Sequence, residues 1–76
     1  MTEIRADDVI RVPGFYRLAA GGDLNMRVHA AHPIHDGWTE LKGVVRHPDG
    51  TEGARLMVWV ESRLINLVER PRADPT

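Results

Sequence analysis

Seventy-six residues with no cysteine make one small domain and exclude a disulfide framework, a cysteine-ligated zinc site and thiol chemistry. Ten Lys and Arg against eleven Asp and Glu give a net charge of −1, which leaves no global field to steer the chain toward phosphate or an anionic membrane. A chain this short buries only about 60% of its unfolded surface, so its stability is thin and a metal or partner subunit is an open means of support.

The basic residues are nine Arg and a single Lys. That bias suits bidentate contacts, but it is read as the imprint of a GC-rich bacterial or phage genome. The first ten residues, MTEIRADDVI, are acidic and polar, unlike a signal peptide, and no apolar run approaches the ~20 residues of a membrane span. A cytoplasmic protein is expected.

In chain order, residues 1–8 are polar and expected to fray, as are residues 71–76 with their two prolines; the ordered core is expected over about 9–69. Residues 9–12 are a short apolar stretch closed by Pro13-Gly14, a type II turn signal. Residues 15–20 resume an extended pattern, and Gly21-Gly22-Asp23 breaks it. Leu24, Met26, Val28 and Ala30 then alternate with Asn25, Arg27 and His29, the period of two of a half-buried strand. Residues 32–37 read as a loop from their Pro and Asp-Gly content. A β stretch follows over 38–46, then the His47-Pro48-Asp49-Gly50 turn, then a strand over 55–61. Residues 62–70 fit a terminal strand after a tight turn at 61–63, since Val58, Val60 and Ile65 are β-branched. A C-terminal helix over 57–70, giving an α+β fold, is the alternative, because Leu64, Leu67 and Val68 also make a helical stripe continuing from Met57 and Val60.

The fold class expected is therefore all-β: a small, strongly bent antiparallel sheet or barrel of about five strands. Gly22-Asp23 before the alternating strand, the loop ending at Gly37-Trp38, the hairpin through Asp49-Gly50 and the one-turn link from Val60 into residues 65–68 resemble the layout of an SH3-like barrel over residues 15–69. That resemblance implies a binding module for peptides, partner proteins or nucleic acid and no particular ligand. The proline-recognition groove of true SH3 domains needs a set of aromatic residues that one Tyr and one Phe do not supply.

A two-residue turn at Gly50-Thr51 would put Val45 opposite Leu56, Gly43 opposite Val58 and Leu41 opposite Val60. Leu41, Val45, Leu56, Val58 and Val60 then make the core face, because a slip of one residue would mix apolar and charged positions. The second face carries Lys42, Val44 and Arg46 against Arg55, Met57 and Trp59, an apolar strip with a cationic border and a like-charge Arg46/Arg55 pair. Trp and Arg are favoured interface residues, so these six are the candidate partner-binding residues. The competing reading makes the strip ordinary packing covered by long basic side chains.

Other constellations carry less. His29, His32 and His35 recur at every third residue, with Asp36 and His47 beyond, but an extended chain points His32 away from the other two and Pro33 prevents a helix from gathering them. No metal or other cofactor is expected. Ser62 is the only serine, no recognisable triad surrounds it, and Gly21-Gly22 is too short for a phosphate loop. Asp7-Asp8 and Asp36 are expected to be solvated or capping. The expectation is a non-enzymatic interaction module that binds a protein partner or self-associates, with a nucleic-acid-binding barrel using Lys42, Arg46, Arg55 and Trp59 as the rival.

Overall fold

The computed structural model describes residues 3–15 and 22–71; the extended pattern expected over 16–20, Gly21 and the tail beyond Pro71 lie outside them. Strands β1 (Val9–Val12), β2 (Leu24–His35), β3 (Trp38–Arg46), β4 (Glu52–Glu61) and β5 (Asn66–Glu69) form one sheet in the order β4-β3-β2-β1-β5, with antiparallel neighbours throughout. The fold is all-β, and the sheet is not closed into a barrel. The helical alternative over 57–70 is overturned. Residues 57–61 are committed to pairing with β3, only Ser62–Leu64 take one 3-10 turn, and the chain then extends into β5. No helix is long and apolar enough to cross a membrane among the described residues.

The alternation of β2 decides which way the sheet faces. Leu24, Met26 and Val28 are fully buried, and they meet Ile10, Val12, Leu41 and Val60 in a single cluster. Val45, Leu56 and Val58 are partly buried and pack against it together with Leu64 and Ile65 from the link that brings the chain from β4 to β5. That link is tied down at its start, where Ser62 N donates to Gly37 O at 2.7 Å and the Ser62 and Thr39 hydroxyls lie 2.6 Å apart. The expected core face of the hairpin is thus the observed one.

The register within that face differs. Leu41 stands opposite Val58 and Gly43 opposite Leu56, two residues from the expected pairing. The connection is a five-residue loop over 47–51, closed by His47 N to Thr51 O at 2.8 Å and Gly50 N to His47 O at 2.9 Å, with Gly50 at φ 89. Pro48 and Asp49 lie within the His47-to-Gly50 turn, and Asp49 Oδ1 accepts hydrogen bonds from both the amide and the hydroxyl of Thr51. A bulge between Val44 and Arg46 takes up the remainder. Since the displacement is even, every side chain keeps its face.

Two further corrections concern the loop at 32–37 and the N-terminal arm. β2 runs on through Pro33 to His35, and the connection shrinks to Asp36-Gly37. Pro is tolerated there because β1 covers only Leu24–Arg27, leaving this half of β2 unpaired on its other side. Asp8, expected to be solvated in a fraying arm, is fully buried. Its carboxylate accepts hydrogen bonds from Arg70 Nε at 3.0 Å, Arg70 Nη2 at 2.9 Å and Arg5 N at 2.8 Å, while Arg70 Nη2 also donates to Glu3 O. The clamp joins the residue after β5 to the residue before β1.

Gly43 sits where β2 sheds a residue. A Cβ built on it would lie 2.2 Å from Arg27 O and 3.0 Å from the Val28 Cα, both backbone atoms, beside the register shift between Val28 and Ala30. Gly43→Ala must therefore push β2 and β3 apart. The expected loss is about 3 kcal/mol from a total of roughly 4–11 for a chain of this length, read as a fall in the urea midpoint.

The Asp8 clamp makes a pH-dependent prediction. The Arg70 guanidinium, supported by the Arg5 amide, holds the Asp8 carboxyl below its ordinary value despite burial. A carboxyl whose pKa is lowered by folding stabilises the fold above the unfolded value of about 3.9 and loses that contribution as pH falls through the folded one. Arg70→Ala leaves the buried carboxylate with the Arg5 amide alone and should cost about 2–3 kcal/mol at neutral pH. Urea titrations should show this gap closing in acid, below the unfolded value.

Candidate functional site

The second face of the sheet is built in rows that run across the strands. His32, Glu40 and Trp59 form one row, Ala30, Lys42 and Met57 the next, and Val9, Arg27, Val44 and Arg55 the third. Met57 is 63% exposed and Trp59 58%. They stand two residues apart on the outermost strand, so their side chains share a face and leave adjoining apolar surface uncovered.

Trp59 is held in place. Its Nε1 donates to Glu40 Oε2 at 3.0 Å, and the other carboxylate oxygen of Glu40 lies 3.7 Å from Lys42 Nζ. One acidic side chain thus fixes the indole and neutralises the cation beside it. Glu40 was not among the six expected residues. The true register, which sets it opposite Trp59, is what reveals its role, and the expected register had paired Trp59 with Lys42.

The structure brings Lys42, Val44, Arg55, Met57 and Trp59 onto adjoining rows, with Val44 buried among them, and engages Arg46 elsewhere. Val44 is buried at 8% exposure, flanked in its row by Arg27 and Arg55, and offers little area to a partner. Arg46 stands opposite Glu52 across the bulge and reaches Glu69 Oε2 at 3.7 Å, so the like-charge Arg46/Arg55 pair does not form. Arg55 faces Val44 instead, and it has no ion pair among the described residues.

Carboxylates answer most of the other positive charge. Arg27 makes a paired contact to Glu52, with Nη2 to Oε1 at 3.0 Å and Nε to Oε2, and its Nη1 reaches Asp7 Oδ1 at 2.9 Å. These partners hold the guanidinium firmly protonated, and Arg27 in turn holds Glu52 below its ordinary range. Arg27 therefore staples β2 to the start of β4 and to the N-terminal arm. His29, extruded at the bulge of β2, joins Lys42, Arg55 and Met57 around a shallow depression of about 540 Å³.

No three His, Asp or Glu side chains converge to hold a metal ion among the described residues. A second cleft, of about 730 Å³, opens between the β2–β3 turn and the link to β5, where Trp38, Pro33, Arg63 and Ile65 are among its walls. Sequence patterning does not disclose it, because its walls come from three separate stretches of chain, at 3–4, 31–39 and 62–67. Scans of protein-family models, of curated proteins and of solved structures give no match to this chain.

Glu40→Ala tests the fixing of the indole. With Trp38→Phe to leave one fluorophore, the emission anisotropy of Trp59 should fall when Glu40 is removed. Stability should change by no more than about 1 kcal/mol, as for an exposed polar pair.

Proposed function

We propose that this chain is a non-enzymatic interaction module, a small SH3-like domain that binds a protein partner or a second copy of itself through the Met57 and Trp59 face. The observation that carries the reading is the exposure of these two side chains, side by side on an edge strand, with the indole pre-positioned by Glu40. Holding a large aromatic in one orientation before binding lowers the entropy lost when a partner arrives. Trp is also among the residues that most often dominate interface energies.

The SH3-like part of the reading is supported by connectivity. The order β4-β3-β2-β1-β5, the 3-10 turn at Ser62–Leu64 between β4 and β5, and the pairing of β5 with β1 follow that layout. Charge favours protein over nucleic acid as the partner, since Lys42, Arg46 and Arg27 each have a carboxylate within 4.0 Å. Such paired cations release few counterions on meeting phosphate.

The test compares the immobilised chain with its Met57→Ala/Trp59→Ala variant, the two being matched by circular dichroism. A protein retained by the first should bind the second at least about 30-fold more weakly, the loss expected for a dominant interface pair. Equal retention refutes the reading. Binding of a short single-stranded oligonucleotide that falls steeply between about 50 and 200 mM salt would assign the face to nucleic acid instead.

A further inference from the structure

The two edges of the sheet are finished differently. β5 is four residues long and is followed at once by Arg70 and Pro71, the short, proline-ended form that discourages strand addition. β4 is ten residues long. Its stretch RLMVWV, residues 55–60, contains no proline, one charge and three β-branched or aromatic positions, and no strand lies beyond it among the described residues. Its outward backbone groups are open to another strand.

We infer that the occupant of this edge is β4 of a second copy, paired antiparallel about a two-fold axis at Val58. The inference rests on the proposed binding role of the Met57 and Trp59 face and names its partner. A two-fold axis normal to the sheet keeps each side chain on its own face, so only pairings between residues of equal parity are allowed. With Val58 opposite Val58 of the copy, Met57 faces Trp59 and Arg55 faces Glu61, each pair occurring twice. On the other side, Leu56 faces Val60 and extends the buried face across the axis.

The neighbouring registers are poorer. Centring on Met57 sets Arg55 against Trp59 but leaves Glu61 against Gly53, with no ion pair. Centring on Trp59 sets Arg55 against Arg63, and Met57 against Glu61. The Val58 register alone matches opposite charges at both ends and apolar pairs between them. Arg55, the cation of this face without a carboxylate among the described residues, thereby gains one. Glu61 lies 2.8 Å from Arg63 Nε, but Arg63 is 74% exposed in the 3-10 turn that follows β4, so the carboxylate can serve both cations.

Sedimentation of the full chain over a range of concentrations should show a reversible, micromolar-class dimer of twice the 8.5 kDa chain mass. Arg55→Glu alone and Glu61→Arg alone should each weaken it on the order of tenfold or more, since either change sets like charges opposite each other twice. Mixing the two variants should restore it, because a mixed dimer again has opposite charges at both contacts. A chain that stays monomeric, a dimer indifferent to both substitutions, or a mixture that is no tighter than its components overturns the inference. If the monomer still retains a different protein in a Trp59-dependent way, the broader binding role survives; if that retention is lost too, both fall.

Discussion

The shape of this sheet depends on the passage of Gly43 beneath the Arg27 carbonyl. Strands separated by the usual spacing leave room for a Cβ on every residue; here one would lie 2.2 Å from a backbone oxygen. The close approach coincides with the extrusion of His29, so β2 bends at its middle. Before the bend β2 is sandwiched between β1 and β3, and after it β2 pairs with β3 alone. The bend gathers Leu24, Met26 and Val28 over one core with Ile10 and Val12 of β1 and with Leu41 and Val60 of β3 and β4. Trp59 stands on the opposite face of β4 from Val58 and Val60, which is why the described strands leave it uncovered.

Charge on the second face acts mainly to hold strands together. Arg27 joins β2 to Glu52 and Asp7, Arg46 reaches across to Glu69, and Glu40 serves Trp59 and Lys42 at once. Each exposed pair is worth little in isolation. Their arrangement matters more, because they remove the like-charge contacts that a face with this many arginines would otherwise contain. What is left uncovered is an apolar pair, Met57 and Trp59, with Arg55 beside it, a cation that has no ion pair among the described residues.

The division of the hairpin into faces was legible in the sequence because a period of two survives any even displacement. The register was not, since the loop over 47–51 and the bulge after Val44 are backbone features that hydrophobic alternation does not encode. That distinction matters at the site: alternation puts Trp59 on its observed face, but a two-residue turn sets it opposite Lys42, whereas the five-residue loop and the bulge set it opposite Glu40. The burial of Asp8 was beyond local reading for a related reason. Its partner Arg70 lies 62 residues away, and a pair of adjacent acids near a terminus resembles any solvated arm. Pro33 misled in the opposite direction, because a proline ends a strand only where its missing N–H is needed, and the unpaired side of β2 does not need it.

A small domain gains more from an added strand than a large one does. Among the described residues its core cluster consists of seven buried side chains, and its edge strand carries half-buried Leu56 and Val58 on the same side. Covering that edge would complete the burial of these two residues and would satisfy the outward backbone groups of β4, and neither gain requires a change in the fold. Any species that binds only the folded chain adds to its stability by mass action. The exposed Trp59 and the edge of β4 are therefore two aspects of one surface: the strand that presents the indole also lacks the proline that would close its edge.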